Sequence, residues 1–155
     1  MTTTEVTRIF QAPRTKVYAA LTNGSAVARW MVPDGMTSQV HVFEAREGGE
    51  FRISLTYEAP EAAGKTSAHT DTYHGHFVKL VPAEQVVQVM EFETDDPELQ
   101  GEMTVSFTLS DSDGGTRVHA IHTGVPPAVA PADNTLGWQM SLTKLAKLVE
   151  APVPA

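Results

Sequence analysis

The chain contains no cysteine. That removes disulfide cross-links, thiolate metal sites and a cysteine nucleophile from consideration. It also lacks any long apolar run: nothing approaches the roughly 18 consecutive apolar residues that a membrane-spanning helix requires, so no membrane insertion is expected. Basic charge is scarce, with 11 Lys and Arg against 19 Asp and Glu and a formal net charge of −8. No local basic cluster offsets this balance, so phosphate backbones are repelled and no nucleic-acid partner is expected. The same acidity favours solubility and disfavours anionic membrane surfaces. The opening MTTTEVTRIF has no basic stretch leading into an apolar one, so no secretory leader is expected and a cytoplasmic location is the default. Neither a Gly-x-Ser-x-Gly elbow nor a phosphate-cradling glycine loop occurs.

What remains is ordinary globular composition. Hydrophobic residues make up 41% of the 155, enough to build one core, so a single domain over 1–150 is expected, followed by a flexible tail at 151–155. Residues 5–10 are β-branched and aromatic and read as a first strand. Pro13 opens a short helix with Val17, Tyr18 and Leu21 as its apolar stripe. Asn23-Gly24 reads as its stop and Ser25 as the cap of a second short helix ending near Trp30.

From Val40 the period becomes two. Phe51, Ile53, Leu55 and Tyr57 share one strand face, with Arg52, Ser54 and Thr56 on the other. Gly48-Gly49 marks the hairpin before them. Residues 59–70, rich in Ala, Gly, Ser and Thr, read as a mobile loop. Further strands follow at 73–81, 85–93, 103–109 and 116–123, separated by turns at 82–84, 95–97 and 113–115. Hairpin connections throughout make the sheet antiparallel with one apolar face. A Pro/Ala linker at 124–131 leads to a last helix, 131–149. Trp138, Leu142, Leu145 and Val149 share one of its faces, with Lys144 and Lys147 on the watered side. At 1.5 Å per residue that helix spans about 28 Å, long enough to cross a small sheet and enclose a pocket beneath it.

Several local motifs occur in a telling order. They are Trp30-Met31-Val32-Pro33 after the helix pair, Arg46-Glu47-Gly48-Gly49-Glu50-Phe51 at the hairpin, Gly75-His76-Phe77 with Val81-Pro82 and Glu84, Gly114-Gly115-Thr116-Arg117-Val118, and Gly137-Trp138 with Leu142 and Leu145. Together they resemble the START-like, birch-pollen-allergen-like superfamily (SRPBCC), and within it the branch homologous to the C-terminal domain of heat-shock-ATPase activators, the AHSA type. The resemblance implies an α+β helix-grip fold: a curved antiparallel sheet of six or seven strands wrapped around a long C-terminal helix, with two short helices after the first strand. It implies a cavity between sheet and helix. It names no single reaction, because the superfamily includes carriers, receptors, cyclases and co-chaperones. Where the family usually carries Trp in the strand after Pro82, this chain has Met90 and Phe92.

The candidate chemistry follows from that cavity. Trp30, Phe43, Phe51, Ile53, Phe77, Met90, Phe92, Met103, Val105, Phe107, Trp138 and Leu142 are the candidate ligand-lining residues, with Trp138 and Leu142 as roof. Tyr73, His76, Arg117 and His119 are the candidate polar groups. The expected partner is a small apolar or amphipathic molecule, held by a carrier or sensor acting as monomer or homodimer; the linker at 124–131 and the loop at 59–70 are candidate gates. A co-chaperone-like module whose partner is a chaperone is the alternative, and a cyclase- or hydrolase-like enzyme using cavity His or Glu a second. No catalytic residue is assigned. His119 and His122 lie three apart on one strand and so point to opposite faces, and no metal or other cofactor is expected.

Overall fold

The computed structural model of this chain describes residues 2–58 and 69–150. The tail at 151–155 and the loop at 59–70, except for its last two residues, lie outside the described residues. Alternation of apolar and polar side chains builds seven strands: β1 (Thr2–Phe10), β2 (Met36–Phe43), β3 (Glu50–Tyr57), β4 (Thr70–Val81), β5 (Gln85–Phe92), β6 (Met103–Ser112) and β7 (Gly115–Val125). They form one antiparallel sheet in the order β1-β7-β6-β5-β4-β3-β2, so the first strand pairs with the last. Three helices complete the order: α1 (Arg14–Leu21) and α2 (Gly24–Trp30) after β1, and α3 (Pro131–Val149) at the end. This is the expected α+β helix-grip arrangement.

Several boundaries differ from expectation. β2 begins at Met36 rather than near Val40, β4 at Thr70 rather than Tyr73, and β7 runs on to Val125, taking up the start of the expected linker. Register shifts between Val40 and Val42 and between Phe77 and Lys79 interrupt the β2–β3 and β4–β5 ladders, and such bulges bend a sheet. Gly75 marks the tightest point of that bend. A Cβ there would stand 1.9 Å from the carbonyl oxygen of Val89, so only glycine lets β4 and β5 approach so closely.

Asn23 does not stop a helix as expected; it starts one. Its backbone is extended, with φ −119°, and its side-chain oxygen accepts a hydrogen bond from the Ala26 N–H at 2.9 Å. That makes Asn23, not Ser25, the cap of α2. The Trp30 indole N–H then donates to the Ala20 carbonyl at 2.9 Å, tying α2 back onto α1.

On α3, Pro131 takes the first-turn position that suits its missing N–H. Leu142, Leu145, Ala146 and Val149 are all at most 2% exposed, and burying one such leucine contributes about 2 kcal/mol. Arg8 of β1 donates to Thr143 Oγ1 at 3.0 Å, pinning the helix along the β1 side of the sheet. Lys144 departs from its expected watered position: its Nζ donates to the Val32 carbonyl at 2.6 Å and lies 3.2 Å from Asp34 Oδ1. No helix among the described residues is long and apolar enough to cross a membrane.

Candidate functional site

The concave face of the sheet is filled at one end and hollow at the other. At the filled end α1 and α2 plug the grip. Phe10, Val17, Leu21, Val27, Trp30, Phe51, Phe77 and Phe107 are all nearly inaccessible there, and Trp30 meets Phe107 edge-on with centroids 6.2 Å apart. At the other end the helix pair does not reach. A cavity of about 520 Å³ opens there between the inner faces of β3 to β7, the first half of α3, the 125–130 connection and the 31–36 segment after α2.

Five of the expected site residues meet in this cavity: Tyr73, Met90, Phe92, Met103 and Trp138. The others lie elsewhere. Trp30, Phe51, Ile53, Phe77, Val105, Phe107 and Leu142 are buried in the closed core rather than on the cavity wall, and the reason is the plug of α1 and α2. Leu142 is therefore a core residue, with Trp138, Ser141 and Met140 nearer the cavity as its roof. Phe43 stands edge-on to Phe77 at 5.4 Å.

Three of the expected polar groups face away from the cavity. His76 and His74 alternate with the inward-facing Tyr73 and Phe77 and therefore stand on the outer face of the sheet. On β7, Val118, Ala120 and His122 point inward, which sends Arg117 and His119 outward; His119 Nε2 pairs there with Glu5.

His122 is the polar group that sequence reasoning left out. It is 8% exposed and lies on the cavity wall. The Trp138 indole N–H donates to its Nδ1 at 3.1 Å, and the Asn134 amide N–H approaches the same nitrogen at 3.2 Å while also donating to Thr4 Oγ1 at 2.8 Å. Indole nitrogen is a donor only, so His122 Nδ1 must be the bare acceptor and its proton sits on Nε2. That N–H is directed at Met103 Sδ, 3.2 Å away. Burial holds the imidazolium pKa down to about 4 from an ordinary 6.5, so the ring is neutral at physiological pH. The signal was present in the strand's alternation: counting by twos from Val118 puts His122, not His119, on the apolar face.

Tyr73 places a buried hydroxyl on the same cavity wall. Burial raises its phenol well above the ordinary range, so it stays protonated, and it donates to Met31 Sδ at 3.8 Å. Tyr73 and His122 are thus neutral donors on the cavity wall, both resting on methionine sulfur. Sulfur is a weak acceptor that a ligand oxygen readily replaces.

A second depression, about 540 Å³, lies on the outer face over β3, β4 and β5. It is of similar size, but its wall is more highly charged, and four of its charged groups pair with one another. Arg52 makes two hydrogen bonds to Glu93, at 2.8 and 2.9 Å, and His74 bridges Glu93 at 2.9 Å and Glu91 at 3.1 Å. The Arg52 hydrogen bonds, and then those of His74, hold the Glu93 carboxyl down at about 2. Such a cross-strand ion network stabilises the outer surface modestly. No group of three His, Cys, Asp or Glu among the described residues is placed to hold a metal ion.

Comparison with known proteins agrees with this architecture. The family described as Activator of Hsp90 ATPase homolog 1-like protein matches residues 11–150. A crystal structure from Chromobacterium violaceum is 32% identical, covers 97% of this chain and 98% of its own, and superposes with a TM-score of 0.86. A Rhodobacter sphaeroides protein, 24% identical with 96% and 92% covered, gives 0.79. An Arthrobacter aurescens protein gives 0.80 at 15% identity, with 97% and 87% covered. The last two show likeness of fold alone. Among curated proteins none matches the chain.

Proposed function

The chain belongs to the Activator of Hsp90 ATPase homolog 1-like family, and from that premise we propose that it binds a small, predominantly apolar molecule in the cavity beneath the first half of α3, as a carrier or sensor. The observation that carries this reading is the cavity itself. Its volume of about 520 Å³ falls within the range of roughly 300–1,000 Å³ typical of ligand sites. Its wall is mostly Met, Leu, Val, Ala, Pro and aromatic residues, with the His122 and Tyr73 donors on β7 and β4. Met31, Met36, Met90, Met103 and Met140 all contribute, and unbranched thioethers adapt to ligands of differing shape.

Native mass spectrometry of freshly purified protein, with an organic extract analysed alongside, tests the reading. A reproducible extra mass released on denaturation is the expected result. A bare protein mass, together with failure to take up any of a panel of apolar probes, would sink it. The family description favours a second reading, a module that engages a chaperone through its surface. Co-purification of a chaperone from host lysate, undiminished by Leu55→Trp, which fills the cavity from a half-buried wall position, would favour that reading over the first.

A further inference from the structure

Among the described residues that line the cavity, the ionisable carboxylates of Asp34, Asp71 and Asp133 are not matched by any lining Lys or Arg. Lys144 approaches this wall, but its ammonium is committed to the Val32 carbonyl and the Asp34 carboxylate. His122 cannot supply the missing cation. Two N–H groups, from Trp138 and Asn134, aim at its Nδ1, so a proton there would set donor against donor. Desolvation acts in the same direction, lowering its pKa to about 4. The Tyr73 hydroxyl is a neutral donor.

An anionic ligand entering this space would surrender its hydration, find no uncommitted cation among the described lining residues to replace it, and pass the exposed carboxylate of Asp133. An uncharged ligand incurs none of these costs. A ligand bearing an amine would keep its charge near the Asp133 carboxylate, while a carbonyl or ether oxygen could take the His122 Nε2–H away from Met103 sulfur. Resting on the binding function proposed above, we infer that the cavity selects uncharged or amine-bearing apolar molecules and excludes carboxylates, sulfonates and phosphates. Fatty-acid-like anions fall in the excluded class.

Two dyes that share one ring system test this. N-phenyl-1-naphthylamine is uncharged, and 8-anilinonaphthalene-1-sulfonate carries a sulfonate on the same framework. Titration of the full chain at neutral pH and physiological salt should show saturable fluorescence gain with the first and at least tenfold weaker binding of the second. Equal affinities would overturn the charge selection while leaving cavity binding intact. No uptake of either dye by folded protein would overturn both. Leu55→Trp should weaken naphthylamine binding; unchanged binding would place the dye elsewhere and defeat the inference. Asp133→Lys, on the exposed first turn of α3, should narrow the ratio between the dyes several-fold, and an unchanged ratio in a variant that still takes up the naphthylamine would count against it.

Discussion

Acid should loosen this protein through His122 before its carboxylates titrate. In the folded state the His122 pKa is about 4, against an ordinary value of 6.5. Above pH 6.5 neither state binds a proton at this ring, and the group adds no pH dependence. Below it the unfolded chain takes up a proton that the folded chain refuses. Stability therefore falls as the pH drops from 6.5 towards 4, by up to 1.36 kcal/mol per unit and about 3 kcal/mol in all. Between pH 7 and pH 5 the loss is about 2 kcal/mol, equivalent to a fall in Tm of about 4–8 °C for a domain of this size. Glu93, held at about 2, loses its contribution only as the pH falls below its ordinary 4.5, so the two windows are separate. Urea denaturation followed by circular dichroism at pH 7, 6 and 5 measures the slope. His122→Gln keeps an oxygen that can accept the Trp138 N–H but does not titrate. The wild-type protein should lose about 2 kcal/mol over this range and the variant should lose that much less, any shared contributions cancelling in the comparison. Identical slopes in the two proteins would refute the argument.

Three further outcomes are expected. Gly137 lies within α3 on the cavity wall, and a Cβ there would meet only Pro33 Cγ at an ordinary 3.7 Å. Gly137→Ala should therefore stabilise the fold by about 0.5–1 kcal/mol through helix propensity, read as a raised urea midpoint at constant m-value. Gly75→Ala should destabilise severely, because its Cβ would collide with the Val89 backbone oxygen; soluble protein with a wild-type Tm would show that β4 and β5 are free to separate. In ¹⁵N spectra of the imidazole rings, His122 should show the Nε2–H tautomer, and Trp138→Phe should remove the indole donor that helps enforce it. A wild-type Nδ1–H tautomer would contradict the hydrogen-bond assignment.

The fold was largely readable from period and punctuation. The alternations at 51, 53, 55 and 57 and at 103, 105, 107 and 109 identify strands and inner faces, and Leu142, Leu145 and Val149 mark the buried stripe of α3. What period two cannot reveal is which inward-facing residues another element covers. Phe51 and Tyr73 sit on the same face with similar chemistry, yet the first is closed within the core and the second borders a void. Depth within the grip is decided by where two short helices dock, a long-range outcome absent from local pattern. Asn23 was misjudged for a different reason. The residue types that tolerate left-handed backbone at helix ends are also those whose side chains cap helix starts, and only the extended φ at Asn23 distinguishes the roles.

The pairing of β1 with β7 bears on how the protein acquires its shape. Strands β2 to β7 each pair with the next along the chain, whereas Glu5 must find Ile121 across most of the chain. Closing so large a loop costs entropy before any contact returns it, which makes pairings of this kind slow. The helix that roofs the cavity is pinned to β1 through Arg8 and Thr143, and the Asn134–Thr4 bond fastens its first turn to the same strand. The roof of the pocket is thus fastened by the pairing that spans the greatest length of chain, and a meander without α3 in place has nowhere to hold a ligand.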